Sequence, residues 1–181
     1  DFMTAQKFNS DRIVRITSDC PFVDPGIVDQ YVNILKKNNL DYVYNGHPHT
    51  YPDGLDVEVF NFKSLKLANK YSKLKIQKEG VTRYFRDNLK KFKTKHIKSP
   101  IKNISKLRVT LDQEEDFNLI NIIFNHFKPN IHFNWKNVVK LAKSKEKLFK
   151  INSKEKLNVK TYLDHNQKLW KKANSIIPGG N

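Results

Sequence analysis

One cysteine, one methionine and six glycines in 181 residues remove several chemistries at once. Cys20 has no second cysteine with which to close an internal disulfide, which fits a reducing compartment. No apolar run is long enough to span a bilayer, and no basic stretch followed by an apolar one opens the chain. A cytoplasmic protein with no membrane partner is therefore expected. The six histidines do not fall at zinc-ligand spacing: His47 and His49 flank Pro48, and His96, His126, His132 and His165 stand apart. Glycine-rich loops of the kind that cradle phosphates are missing throughout. Arginine is also scarce, limited to Arg12, Arg15, Arg83, Arg86 and Arg108.

The formal net charge of +16 is consequently built almost entirely of lysine. Those lysines are scattered through every expected helix and loop beside abundant asparagine, a pattern of solvated faces rather than of one basic groove. Anionic partners are attracted non-specifically, and a specific nucleic-acid partner is not expected. An apolar share of 38% with 12% aromatics is enough for one ordinary domain with a core, and the length is too short for two full ones.

Residues 12–17 have the β-branched, apolar character of a strand through Ile13, Val14 and Ile16. Asp24-Pro25 then opens a helix, with Asp as N-cap and Pro at the first helical position. Ile27, Val28, Tyr31, Ile34 and Leu35 form its apolar face. A second short strand over 41–45 completes a strand–helix–strand unit, which favours a parallel sheet. After a turn-rich loop over 46–54, Leu55, Val57 and Val59 alternate with Asp56, Glu58 and Phe60. A strand there places Asp56 and Glu58 on one face, about 7 Å apart.

Helices are expected over 62–74 and, carrying Val81, Tyr84 and Phe85, over 79–88. Residues 90–106 suit a loop or edge strand. Residues 107–111 alternate as a third clear strand, followed by a helix that starts on Glu114, Glu115 and Asp116, acids suited to its positive dipole end. Further helices are expected over 135–149 and, through Tyr162, Leu163, Leu169, Ala173 and Ile177, near the end of the chain.

Asp19 and Asp112 each follow a short alternating run, at the strand ends where open α/β sheets expose side chains to ligand. Two such carboxylates can share one hard divalent cation and hold a nucleoside triphosphate against a nucleophile. Each also has a plain structural reading, Asp19 as a turn residue and Asp112 as a helix cap. Cys20 reads best as a small buried turn residue.

Four segments in order carry a resemblance: Arg15-Ile-Thr-Ser-Asp-Cys-Pro21, Tyr51-Pro-Asp-Gly-Leu-Asp-Val-Glu-Val-Phe60, Glu79-Gly-Val-Thr82, and Leu107-Arg-Val-Thr-Leu-Asp112 with Glu115-Asp116. With Phe133-Asn-Trp-Lys-Asn-Val-Val139 and Ile151-Asn152 they resemble the spore-coat-polysaccharide-type cytidylyltransferases, relatives of CMP-Kdo and CMP-acylneuraminate synthetases, over roughly residues 10–155. The resemblance implies an α/β nucleotide-diphospho-sugar-transferase sandwich and transfer of CMP from CTP to a sugar or sugar acid, with release of pyrophosphate. It implies Asp19 and Asp112 as catalytic ligands of Mg²⁺, with Arg15, Asp56 and Glu58 toward the substrates; Arg15 could equally brace Asp19. A homodimer is compatible with it. Two positions depart from the family pattern: Gly80 stands where the family has His, and Arg83 where Pro is common.

By the same resemblance, the family's first strand and nucleotide loop would precede Asp1, leaving residues 1–155 as the C-terminal part of the domain and inactive alone. Asn166-Gln-Lys-Leu-Trp-Lys-Lys-Ala173 and Ile176-Ile-Pro-Gly-Gly180 resemble the opening of class III aminotransferases of the glutamate-1-semialdehyde type. Residues 156–181 are then a linker helix and the beginning of a domain whose pyridoxal phosphate (PLP) site lies further on. A non-catalytic sugar- or nucleotide-binding relative and a Lys-rich nucleic-acid-binding domain remain the alternatives.

Overall fold

The computed structural model describes residues 2–80 and 82–152. The chain divides into two compact units: Asp1–Ile16, Pro25–Pro48 and Val57–Lys98 form the first, and Thr17–Asp24, His49–Asp56 and Ser99–Asn181 the second. The terminal helix expected through Tyr162 and Ile177, the aminotransferase-like stretch from Asn166, and Val81 lie outside the described residues.

The first unit runs α1 (Phe2–Lys7), β1 (Arg12–Arg15), α2 (Pro25–Lys37), β2 (Tyr42–Tyr44), β3 (Glu58–Asn61), α3 (Phe62–Tyr71), α4 (Lys75–Glu79), α5 (Arg83–Asp87) and β4 (Thr94–His96). Its four strands form a mixed sheet in the order β1-β3-β2-β4. This α/β architecture is the expected class, but the sheet is not all parallel. β3 lies antiparallel to both β1 and β2, and only β2 and β4 are parallel. Asn45 supplies the reason. Its buried side-chain oxygen accepts the Val57 N–H at 2.9 Å, tying the residue after β2 to the residue before β3. The two strands leave that clamp side by side, so β3 must run back along β2. β1 and β2 do run the same way, as a strand–helix–strand unit requires, with β3 inserted between them.

Tyr42, Val43, Val59, Phe60 and Phe85 are fully buried in this unit. Tyr42 stacks between Tyr44 and Phe85, with ring centroids 4.6 and 5.0 Å away. Each large apolar side chain buried in this way contributes roughly 1.5–3 kcal/mol. Helix α1 precedes β1; Phe2 stacks on Phe62 of α3 at 5.6 Å and Ala5 is buried. The helix expected over 79–88 begins at Arg83 instead, and α4 precedes it. Edge strand β4 falls within the weakly patterned 90–106 stretch.

Asp41 fixes the start of β2. Its carboxylate accepts the Lys93 N–H at 2.9 Å, the Asn61 amide at 3.0 Å and the Ser64 hydroxyl at 3.0 Å. Asn61 in turn caps α3 by accepting the Ser64 N–H at 2.8 Å.

In the second unit the long elements are α6 (Glu114–Phe127) and α7 (Trp135–Ser144). Phe117, Leu119, Ile120 and Ile123 bury the inner face of α6. A reciprocal Asn134–Asn137 capping box starts α7. This helix stops at Ser144, five residues earlier than expected, where the run Lys143-Ser-Lys-Glu-Lys147 offers nothing to bury; Phe149 enters the core from a separate 3₁₀ turn. Asp24 sends its carboxylate to the Trp135 N–H at 3.2 Å. Lysines stand on α1, α2, α3, α4, β4 and α7, so the positive charge is distributed over many elements. Among the described residues no helix is long and apolar enough to cross a membrane.

Burial alone would raise the Asp41 pKa, but the Lys93 N–H and the Asn61 and Ser64 side chains together hold it below its ordinary value of 3.8. A depressed carboxylate adds stability above its unfolded-state pKa and loses it as the pH falls through the folded value. Asp41→Asn is therefore expected to lower stability at neutral pH. Its deficit against the wild type should shrink below about pH 4. Urea unfolding at several pH values measures this; a deficit independent of pH would refute it.

Candidate functional site

Residues 107–111 are extended, as their alternation requires, but they do not join the sheet. Arg108 makes a single parallel bridge to Asp53, with the Asp53 N–H on Leu107 O at 2.9 Å and the Val109 N–H on Asp53 O at 2.8 Å. A longer ladder is blocked on both sides. The donors that would extend it are engaged elsewhere: the Leu107 N–H on Ile104 O at 3.0 Å, the Leu55 N–H on Pro52 O at 3.3 Å and the Leu111 N–H on Asp19 O at 2.8 Å, while Gly54 turns away at φ 100°. A Cβ on Gly54 would stand 2.5 Å from the Thr110 nitrogen, so this close crossing requires glycine. Further along, the carbonyl of Asp19 accepts the Leu111 N–H at 2.8 Å and the Thr110 hydroxyl at 3.0 Å. The backbones at Asp19 and at 110–111 are thereby brought together from distant parts of the chain. Asp19 is half-buried and Asp112 is buried.

Arg108 reaches into the acids around this crossing. Its Nη2 donates to Asp112 Oδ2 at 2.5 Å and to Asp116 Oδ2 at 2.7 Å; Nε donates to Asp116 Oδ1 at 3.0 Å, and Nη1 to Asp53 Oδ2 at 3.1 Å. Asp116 is fully buried, and it also accepts the N–H groups of Asp112 and Gln113, both at 3.0 Å, and the Asn152 amide at 2.7 Å. Asp116 thus closes the first turn of α6 while gripping the guanidinium side-on, a bidentate arrangement that fixes direction as well as distance.

Burial would lower the Arg108 pKa, but hydrogen bonds and charge from Asp116, then Asp112, raise it above its ordinary value. Asp53 goes the other way for a carboxylate beside an arginine. Burial raises its pKa, Arg108 opposes that, and Asp56 reinforces it. One guanidinium facing three carboxylates is oversubscribed, and the group retains net negative charge.

Two further groups of this unit lie close by in sequence. His49 Nδ1 stands 3.4 Å from Asp56 Oδ1, both side chains about one-third exposed. Burial pushes the Cys20 thiol up to about 12, with Thr17 opposing and Asp19 adding to the rise. Cys20 is thus a buried turn residue whose burial favours the protonated thiol.

In the first unit Glu58 sits at the centre of the sheet, buried rather than on a polar face. Arg15, its register partner on β1, donates to Oε2 at 2.7 Å, and Thr82 donates to the same oxygen at 2.9 Å. The Tyr42 hydroxyl donates to Oε1 from the diagonal position on β2. Burial, then the Glu58 charge, raises the Tyr42 pKa, so its phenol stays a donor. The structure thus brings Arg15 and Glu58 together, and separately Asp19 and the segment ending at Asp112. Asp56 precedes β3 and belongs to the second unit, so it does not share a strand face with Glu58.

Arg108, Asp53, Tyr42 and Thr82 were not singled out from the sequence. Arg108 left a faint signal: a rare arginine in an otherwise apolar–polar run four residues before Asp112.

A hard cation such as Mg²⁺ is commonly held by one or two carboxylates together with substrate phosphates. Among the described residues no group of three or more His, Cys, Asp or Glu forms a protein-only cage. Asp19 and Asp112 nevertheless fit the sparser kind of site. They are hard oxygen donors on neighbouring backbones, beside a cluster whose negative charge Arg108 leaves uncompensated.

Comparison with known proteins gives a consistent picture. The cytidylyltransferase family profile matches residues 3–169. The chain is 40% identical over 129 residues to an uncharacterised protein of Methanocaldococcus jannaschii, covering 70% of this chain and 51% of that one. It is 29% identical over 114 residues to the spore coat polysaccharide biosynthesis protein SpsF of Bacillus subtilis, covering 62% of this chain and 46% of that protein. The chain spans about half the length of these curated relatives. A solved cytidylyltransferase from Leptospira borgpetersenii superposes with a TM-score of 0.78 at 25% identity, covering 86% of this chain and 64% of the other.

Glu58→Gln takes the counter-charge from Arg15 and turns one of the two accepting oxygens, shared among Arg15, Tyr42 and Thr82, into a donor. Glu58→Gln is expected to cost about 1–3 kcal/mol, reduced by the partial exposure of Arg15. Asp56→Asn should stay within about 0.5 kcal/mol. Urea midpoints at an unchanged m-value report both, and equal effects would contradict the assignment of Glu58 as the structural acid.

Proposed function

Because this chain belongs to the cytidylyltransferase family, we propose that it contributes part of an enzyme that transfers CMP from CTP to a sugar or sugar acid for surface polysaccharide synthesis. The acceptor oxygen bonds to the α-phosphorus of CTP, the bond from that phosphorus to the α–β bridging oxygen breaks, and pyrophosphate leaves with the bonding electrons. The observation that carries this reading is the backbone junction of Asp19 with Thr110 and Leu111, directly before Asp112.

In the proposal Asp19 and Asp112 would hold Mg²⁺, which when bound would supply charge neutralisation for the phosphates and polarise the α-phosphorus. Asp56, partly exposed and beside His49, is the carboxylate assigned to hydrogen-bond the sugar. Arg15 and Glu58 already engage each other, so we assign them to bracing the sheet rather than to contact with substrate. Because the chain spans about half the length of its curated relatives, the complete reaction is proposed for the full-length polypeptide.

Asp19→Asn and Asp112→Asn in that polypeptide should each reduce Mg²⁺-dependent pyrophosphate release from CTP by roughly 100-fold or more, the kinetic equivalent of several kcal/mol of lost charge stabilisation. The far-UV circular dichroism should not change. Release at the wild-type rate in either variant would refute its role. The aminotransferase-like stretch from Asn166 to Gly180 is proposed as the start of a fused PLP-dependent domain; failure of the longer polypeptide to bind pyridoxal phosphate, followed by absorbance, would refute that.

A further inference from the structure

The unexplained feature of the second unit is a cation placed 2.5 Å from a carboxylate assigned to bind another cation. By charge alone Arg108 opposes Mg²⁺ at Asp112. We propose that Arg108 is a positioning residue, a guanidinium clamp that fixes the Asp112 carboxylate for the metal. This inference rests on the cytidylyltransferase reading and assigns a role within the same site.

The geometry divides the labour among the acids. Asp116 takes the side-on grip of Nε and Nη2 and is further held by two backbone N–H groups and Asn152, leaving it fully buried. Asp53 takes Nη1 from the opposite side. With its plane pinned at both ends, the guanidinium presents Nη2 to Asp112 Oδ2 in one direction only, which a flexible ammonium cannot do. The backbone is pinned as well: Asn152 donates to the Arg108 carbonyl at 3.1 Å, and the bridge to Asp53 holds the residues on either side.

Three carboxylates also absorb the arginine's charge, so orientation is gained without making the cluster positive. Hydrogen bonds that orient a metal-ligating carboxylate are commonly worth 10–100-fold in metal affinity.

Arg108→Lys separates orientation from charge because it keeps the cation and removes the fork. The probe is Mn²⁺ alone, titrated into the full 181-residue chain and followed by electron paramagnetic resonance of the free ion. The clamp predicts Mn²⁺ binding about 10–100-fold weaker in Arg108→Lys, with the circular dichroism of the wild type. Equal or tighter binding overturns the inference while leaving the metal assignment standing.

If Arg108→Lys does not fold, Asp53→Asn and Asp56→Asn decide the matter. Each removes one negative charge, but only Asp53 anchors the guanidinium. Several-fold weaker Mn²⁺ binding in Asp53→Asn than in Asp56→Asn supports the clamp, and equal weakening overturns it.

Discussion

A single guanidinium organises the second unit. Arg108 is the common partner of Asp53, Asp112 and Asp116, and its backbone is bridged to Asp53 and held by Asn152. Charged groups taken out of water need near-complete pairing, because the cost of desolvation otherwise exceeds the Coulombic gain. The arginine meets that demand with every nitrogen engaged, and Asp116 meets it with donors from both main chain and side chains. The start of α6, the crossing at Gly54 and the location of Asp112 all follow from that pairing.

The first unit solves the same problem with the opposite sign. There the central buried charge is an acid, Glu58, and its donors are Arg15, Thr82 and Tyr42, drawn from the neighbouring strands and from the segment before α5. An acid so supplied is a structural brace, although its position between apolar residues on an alternating strand suggests a ligand-facing group. The difference between Glu58 and Asp112 is therefore one of company rather than residue type. Glu58 meets its donors in the middle of a packed sheet, whereas Asp112 shares one oversubscribed arginine with two other acids.

Gly80 and Arg83 depart from the pattern of the resembling family, and both flank Thr82. Thr82 itself is buried and hydrogen-bonded to Glu58, so this element keeps its connection to the sheet despite the changes on either side. Gly80 is the residue after α4, donating its N–H to Ile76 O at 3.0 Å, and a Cβ there would stand 3.0 Å from the same oxygen.

Helical periodicity and capping residues were sufficient to locate α2, α6 and the beginning of α7, because those signals are local and repeat every few residues. Alternation likewise marked β1 and the extended backbone at 107–111. Local alternation says nothing about neighbours, however. Whether 107–111 would join a ladder was settled by Gly54 and Asp19, more than fifty residues away, and the direction of β3 by one side chain, Asn45. The two aspartates of the proposed metal site were legible as types in a pattern. The oxygens of Glu58 and the fork of Arg108 acquired their roles only when distant segments met, since pairing energy depends on distance and burial, and neither is written in residue order.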